Sequence, residues 1–443
     1  MKTTSNRISE IRQQMREKEE QKVWYSLYGR LLDEKLLRAA FVKVKKARGK
    51  PGIDGQTVAD FAETRDQEIA RLLQELRDKS YRPSPVRRVL IPKPNGDSRK
   101  LGIPTVRDRV VQRALLDILE PVFDPHFHPS SFGYRPGKRC ADAIAKVAMF
   151  TRDYDLDWIV DLDLSKCFDT LDHDLIIQAF RRRIADGSVL KLLNLFLESG
   201  VMVDGNLQET ETGSPQGGSI SPLVANVYLH EFDMEMMRRG HRIVRYADDI
   251  LVFKASKSGA NNALRQAKAI LEGRLKLTVN ESKSAIRTLE DGIPYLGVII
   301  KTRWVTIKDS KIREFKAKIK AITRRNSPVN LEKVIRDLNP VLRGFVDYFK
   351  IANCRSVLRS IAGWTRRRLR AKQLKLWKKP KRLHRRLRQL GYKGEFKAIK
   401  MSSWRNSRSP LASYALPNAE LKHLGLFWLE SVETGILPRP QLG

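Results

Sequence analysis

The sequence predicts an α+β fold: a four-stranded antiparallel sheet of the split βαβ kind, covered by helices and followed by a basic helical region. Three observations predict it. Strand-like and helix-like stretches alternate between residues 158 and 279 in the order β-α-(helix)-β-β-α-β. A β-branched hairpin precedes them, and beyond Trp304 strand signals give way to Lys/Arg-rich helical periodicity.

Residues 1–80 read as mostly helical, with a turn at Gly49–Gly55. Residues 86–91 are rich in β-branched and basic residues. The turn Pro92-Lys93-Pro94-Asn95-Gly96 follows, and Arg99-Lys100-Leu101-Gly102-Ile103 returns, with basic residues at the tip and on the returning strand. Val111, Leu115, Ile118 and Leu119 share one face of a helix over 107–119. In a strand over 158–164, Ile159, Asp161 and Asp163 point to one side and Val160, Leu162 and Leu164 to the other. Asp172 caps a helix over 172–184, and a Gly/Pro-rich turn at 213–218 leads into a helix through Val224, Val227 and Leu229. Residues 241–253 form two strands around a tight turn. An amphipathic helix over 258–275 carries Leu264, Ala267, Leu271 and Leu275, and a strand at 277–279 closes the set. Residues 311–325 are a basic helix. The next helical stretch, 330–349, is expected to break near Pro340, which has no N–H to donate. Residues 366–388 then hold thirteen Lys or Arg and no acid.

The length of 443 residues suggests two to three domains, and a hydrophobic fraction of 41% permits a sizeable core. Charge dominates: 85 Lys and Arg against 50 Asp and Glu leave +35, an excess that calls for a polyanionic partner. No stretch reaches the roughly 18 consecutive apolar residues of a membrane span. The N-terminus has no apolar signal core, and Cys140, Cys167 and Cys354 suit neither a disulfide framework nor zinc spacing. A cytoplasmic nucleic-acid-binding protein is therefore expected.

The chemistry lies in the acids. Asp248 and Asp249 stand side by side at the bend between apolar strands, where like charges repel. A cation resolves the repulsion, and hard divalent ions prefer carboxylate oxygens. Two such ions can clamp the attacking and leaving oxygens of phosphoryl transfer. The plainer alternative is a solvated turn at 248–249 and an exposed strand face at Asp161 and Asp163.

Arg245-Tyr246-Ala247-Asp248-Asp249 resembles the tyrosine-x-Asp-Asp motif of reverse transcriptases. Asp163-Leu164-Ser165-Lys166-Cys167-Phe168-Asp169 is similar to their first catalytic motif, and Ser214-Pro215-Gln216-Gly217-Gly218 to their PQG segment. Ile91-Pro92-Lys93-Pro94-Asn95-Gly96, Leu101-Gly102-Ile103-Pro104-Thr105, Ser131-Phe132-Gly133-Tyr134-Arg135-Pro136-Gly137 and Tyr295-Leu296-Gly297 stand in the order of bacterial group II intron reverse transcriptase/maturases. The chain resembles the compact, class C-like members without an endonuclease domain.

That resemblance implies a right-hand polymerase. Fingers and palm would occupy 1–303 (with 1–80 an N-terminal extension), a helical thumb or maturase domain 304–372, and a basic DNA-binding region 373–443. Asp163, Asp248 and Asp249 would be catalytic, holding two Mg²⁺ ions together with the Leu164 carbonyl. Lys93 and Arg99 match fingers residues that hold the triphosphate, where a cation and a bidentate guanidinium suit phosphate oxygens. Lys166, Cys167 and Phe168 would lie along the nucleotide, Phe168 as the aromatic with which a 2′-hydroxyl collides. Gln216 would lie against the nascent base pair, and Lys283 would protonate the leaving pyrophosphate. Leu296 and Gly297 would grip the primer. Arg343, Trp364, Arg366, Arg367, Arg368, Arg370, Lys372, Lys375, Trp377, Lys378 and Lys379 would contact nucleic acid, cations on phosphates and indoles by stacking. His126 and His128, without cysteine partners, read as structural.

The implied function is RNA-directed DNA synthesis by two-metal nucleotidyl transfer, with intron RNA bound for splicing and target-primed reverse transcription for retrohoming. Its partners would be intron RNA, RNA template, DNA target and primer, and deoxynucleotides; no membrane and no protein partner is required. The alternatives are an RNA-binding splicing factor with little polymerase activity, and a domesticated reverse transcriptase in defence or repair.

Overall fold

Residues on either side of the Pro-Asn-Gly sequence pair as expected. Strands β1 (Val86–Pro92) and β2 (Ser98–Ile103) run antiparallel, with Ile91 opposite Arg99 and Arg87 opposite Ile103. The computed structural model describes residues 22–92, 96, 98–203, 206–208, 212–213 and 217–439. They divide into two units, one up to Arg287 apart from Thr151–Asp153, the other from Thr288 onward.

In the first unit Thr105 caps the helix Val106–Phe123 by accepting from the Asp108 N–H at 3.1 Å, and the helix runs on past Leu119 with Pro121 inside it. Strand β3 (Trp158–Leu162) follows, then the helix His173–Arg181, whose cap Asp172 accepts from the Leu175 N–H at 3.0 Å. Two short strands, β4 (Val201–Val203) and β5 (Asn206–Gln208), extend the hairpin sheet in the order β2-β1-β4-β5. The helix Ser221–Arg238 leads to β6 (Arg242–Tyr246) and β7 (Asp249–Lys254), and the helix Lys257–Lys268 leads on to β8 (Ala285–Thr288).

The central sheet has the order β6-β7-β3-β8, with β3 antiparallel to β7 and β7 to β6. Its fourth strand is Ala285–Thr288 and not the expected 277–279. Leu277 and Val279 are buried on either side of Thr278, which looks like a strand, yet the segment makes only an isolated bridge from Val279 to Leu164. Its role is to carry the chain past the end of β3. Val160, Leu162 and Leu164 enter the main core together with Ile250 and Val252 of β7 and Leu271 and Leu275.

In the second unit β9 (Ile293–Tyr295), β10 (Val298–Ile300) and β11 (Val305–Ile307) form an antiparallel sheet in the order β11-β10-β9. Helices Asp309–Ile322, Leu331–Phe349, Arg355–Trp377 and Pro380–Gln389 follow. The helix Leu331–Phe349 passes through Pro340 without the expected break. Seven buried apolar residues along its length, among them Leu338 and Leu342 on either side of the proline, hold it as one element. The helix Arg355–Trp377 runs through position 372, where the sequence placed a domain edge.

Candidate active site

The bend between β6 and β7 has two residues, because Tyr246 pairs with Asp249. That leaves Ala247 and Asp248 in the loop, Ala247 with φ 59°, a value L residues avoid. The tie that holds it is a buried ion pair. Arg245 and Asp233 are both 0% exposed, with Nη2 on Oδ2 at 2.6 Å and Nε on Oδ1 at 2.8 Å. Arg245 Nη1 also donates to Asn226 Oδ1 and to the Ala247 carbonyl, each at 3.0 Å. A second brace comes from the segment before Tyr134. Arg245 N–H donates to the Ser130 carbonyl and Phe132 N–H to the Arg245 carbonyl, both at 2.9 Å. Gly133 lies so close that a Cβ there would stand 2.3 Å from the Ala247 nitrogen.

Asp163 arrives from the neighbouring strand. Leu162 is opposite Ile250, so one further step along the register sets Asp163 beside the start of β7. Its N–H donates to Ser284 Oγ at 3.1 Å, its carbonyl accepts from the Asn280 N–H at 2.8 Å, and Lys283 Nζ is 3.4 Å from its carboxylate. Asp163 and Asp248 line one cavity of about 840 Å³. Burial, with the Asp163 charge behind it, pushes the Asp248 carboxyl above the ordinary range. Asp249 is pushed up to about 7, by burial first and then by the charges of Asp161, Asp248 and Asp163. Asp161 is paired with Arg287 at 3.1 Å. Among the described residues no group of three or more His, Cys, Asp or Glu side chains closes on a single point as a metal cage would. The three acids therefore form an electrostatically coupled, open set. Oxygen donors whose charges oppose one another suit a hard divalent cation, which relieves the repulsion and displaces the proton.

Arg99 on β2, Lys166, Cys167 and Phe168 line the cavity with Leu164 and Lys283. Cys167 is buried, and that burial pushes its thiol up to about 12, so it is an inert wall and not a nucleophile. Lys93 and Gln216 lie outside the described residues. Next to Gln216, Gly217 has φ 122°, and a Cβ on it would stand 2.3 Å from the Gly102 carbonyl oxygen. The small residue thus lets the backbone at 217 rest against β2. In the second unit Leu296 (φ 46°) and Gly297 (φ 82°) form the two-residue turn between β9 and β10, and Tyr348 OH donates to the Leu296 carbonyl at 2.8 Å.

The basic helix departs from the expectation. Lys372 is 0% exposed, its ammonium 2.8 Å from the Ser327 carbonyl and 3.4 Å from that of Arg324, so it is fastened inside the protein and cannot meet a phosphate. Arg366 makes a two-pronged pair with Glu430 and lies over Trp428; the absent acid is supplied from far along the chain. Arg370 donates to the Leu416 carbonyl and Asn418, and Arg368 to Thr323 while lying over Trp364. Arg367 covers Trp404, Arg343 covers Phe427, and Trp377 packs against a core around Leu374 and Leu383. Lys375, Lys378 and Lys379 are exposed. Sequence reasoning missed Asp233, Asn226, Gly133 and Tyr134 as builders of the site. Nothing in the helix run 223–236, which holds acids at 231, 233 and 235, set the first of these apart.

The reverse transcriptase (RNA-dependent DNA polymerase) family matches residues 91–300, and the maturase-specific domain of group II introns matches residues 312–391. The chain is 34% identical to protein YkfC of Escherichia coli, over 61% of this chain and 84% of that protein. It belongs to the group II intron reverse transcriptase/maturase family. It is also similar to the group II intron-encoded protein LtrA of Lactococcus lactis subsp. cremoris, with 29% identity over 75% of this chain and 71% of LtrA. Among solved structures, telomerase from Candida albicans aligns with a TM-score of 0.42 at 13% identity, over 71% of this chain and 64% of that one. The first unit of this reverse transcriptase/maturase holds most of the polymerase match, and the second holds the maturase match. Reverse transcriptases use divalent metal ions, in keeping with the acids at the bend. No helix of the described residues is long and apolar enough to cross a membrane.

Proposed function

We propose that this reverse transcriptase/maturase copies RNA into DNA at the cavity of Asp163 and Asp248, with Asp163, Asp248, Asp249 and the Leu164 carbonyl holding two Mg²⁺ ions. One observation carries the reading: acids from two separate chain segments meet at the end of one sheet and oppose one another's ionisation. The two ions, when bound, supply the positive charge that activates the primer's 3′-oxygen and offsets the charge of the leaving pyrophosphate. The chain's own residues do the rest. Arg99, exposed on the hairpin, takes the triphosphate, with Lys93 and Gln216 completing the nucleotide contacts. Phe168 lies beneath the sugar and excludes a 2′-hydroxyl, beside Lys166 and Cys167. Lys283, 3.4 Å from the Asp163 carboxylate, gives its proton to pyrophosphate. Leu296 and Gly297 grip the primer, and the exposed Lys375, Lys378 and Lys379 meet intron RNA or target DNA. In the cell these activities would serve splicing and retrohoming, in the cytoplasm, where three free cysteines are at home.

Primer extension on an RNA template with Mg²⁺, run with deoxynucleotides and with ribonucleotides, tests this. Deoxynucleotide incorporation by the parent and its loss in Asp248→Ala are expected. A parent that incorporates nothing overturns the reading.

A further inference from the structure

Tyr134 sits where ordinary packing would not leave it. It is 54% exposed despite its large aromatic ring, and its φ of 59° is one that an L residue adopts only at a cost. A free surface loop would relax, but both neighbours forbid it. Gly133 is pressed on the Ala247 backbone, and its carbonyl accepts from buried Asn226 Nδ2 at 2.8 Å. Arg135 is fastened to Asp124 at 2.7 Å and to the His128 and Ser131 carbonyls at 3.0 and 2.8 Å. The loop therefore delivers the Tyr134 ring into the cavity that Asp163, Asp248 and Phe168 line. There it meets Phe168 edge to face, with ring centroids 6.4 Å apart and planes at 80°. Conformational cost held in place by a fixed frame is a mark of function, since nothing in the fold itself gains from it.

We propose that Tyr134 is a specificity-determining residue that buttresses Phe168, so that the two rings form a rigid aromatic corner against which the sugar of the incoming nucleotide is sorted. The proposal rests on the reading of Phe168 as the sugar gate. Phe168 is only half-buried and stands on a single 3₁₀ turn, Cys167–Asp169, so its own surroundings leave one side of the ring unsupported by the core. Tyr134 supplies that side. Without it the Phe168 ring can turn aside, and a 2′-hydroxyl is then tolerated. The same frame that fixes Tyr134 also braces the Asp248 bend, so the discriminating corner and the acids are held in one register.

The test is the ratio of kcat/KM for deoxy- over ribonucleotide in primer extension, measured for Phe168→Ala, Tyr134→Gly, Tyr134→Phe and the double variant Phe168→Ala/Tyr134→Gly. Glycine accepts positive φ freely, so Tyr134→Gly removes the ring without adding strain, and its melting temperature should hold or rise. Its ratio should fall about two- to tenfold, the worth of one edge-to-face aromatic contact. Tyr134→Phe should match the parent, because the contact needs the ring and not the hydroxyl. In the double variant the Tyr134 change should add nothing, since the ring it supports is gone. If Phe168→Ala relaxes the ratio while Tyr134→Gly leaves it unchanged, or if the two effects multiply, this proposal is overturned and the gate stands. If Phe168→Ala leaves the ratio unchanged, the gate reading falls and this proposal with it.

Discussion

Replacing Asp233 with alanine strikes at the way the bend between β6 and β7 is built. Arg245 and Asp233 are both fully buried, and the guanidinium would be left in the core with only Asn226 Oδ1 and the Ala247 carbonyl as partners. Truncating one member of a buried pair costs roughly 3–5 kcal/mol, against a total of roughly 5–15 kcal/mol for a typical domain. Each kcal/mol moves the melting point of a unit this large by roughly 2–4 °C, so Asp233→Ala should melt roughly 6–20 °C lower. Removing both charges, as Arg245→Met with Asp233→Leu, should recover most of the loss, because packed apolar side chains replace two desolvated ions. Activity should not recover with it. Methionine donates nothing to the Ala247 carbonyl, and the positive-φ bend loses its tie. Circular-dichroism melting and primer extension on the parent, Asp233→Ala and the double variant separate the two effects. A loss in Asp233→Ala of under roughly 1 kcal/mol, the level of an exposed pair, refutes the reasoning, and so does a fully active double variant.

Other consequences are open to measurement. Asp249 keeps its proton up to about 7 in the metal-free fold against an ordinary value of 3.8. Between those values the folded chain binds more protons than the unfolded one, so this group's contribution is present at pH 4 and lost as pH rises through 7. The span corresponds to roughly 4 kcal/mol at most, visible as a melting temperature that falls from pH 5 to pH 8 without divalent ions. Mg²⁺ should reverse the fall and release protons on binding, and Asp249→Asn should flatten the profile; a flat profile in the parent contradicts the assignment. Gly133→Ala would put its Cβ 2.3 Å from the Ala247 nitrogen, so extension should drop by roughly 100-fold while affinity for template is kept, as a gel-shift assay can read. Lys372→Met should leave nucleic-acid affinity and its salt dependence unchanged. Replacing Lys375, Lys378 and Lys379 with glutamine should flatten the salt slope by roughly 0.7–0.9 for each phosphate no longer neutralised; equal behaviour of the two variants would contradict their opposite burial.

The parts of the fold legible in the sequence were those written in local pattern. Apolar stretches marked β3, β6 and β7, and Asp172 marked where a helix begins. The acids at 248 and 249 were legible because adjacent like charges between apolar strands have no packing reason, whereas Asp163 was set apart from Asp161 only by the resemblance to a catalytic motif. What stayed hidden depends on contacts between distant segments. Leu277–Val279 alternates like a strand, and only the bridge to Leu164 shows that Ala285–Thr288 takes the sheet position. Pro340 looks like a helix breaker until the buried face of its helix is seen to outweigh the missing hydrogen bond. A run of cations without acids looks free until Glu430 and the carbonyls of Ser327 and Leu416 come to meet it.

That last arrangement bears on the order in which the chain is made. The helix Arg355–Trp377 leaves the ribosome before Trp404, Leu416 and Glu430, the groups that shield its arginines. Until those residues emerge, the nascent segment carries bare guanidinium groups beside a ribosome built largely of polyanion. Its docking is then a contest between its own later residues and any RNA within reach, and the native partners win only because they are tethered.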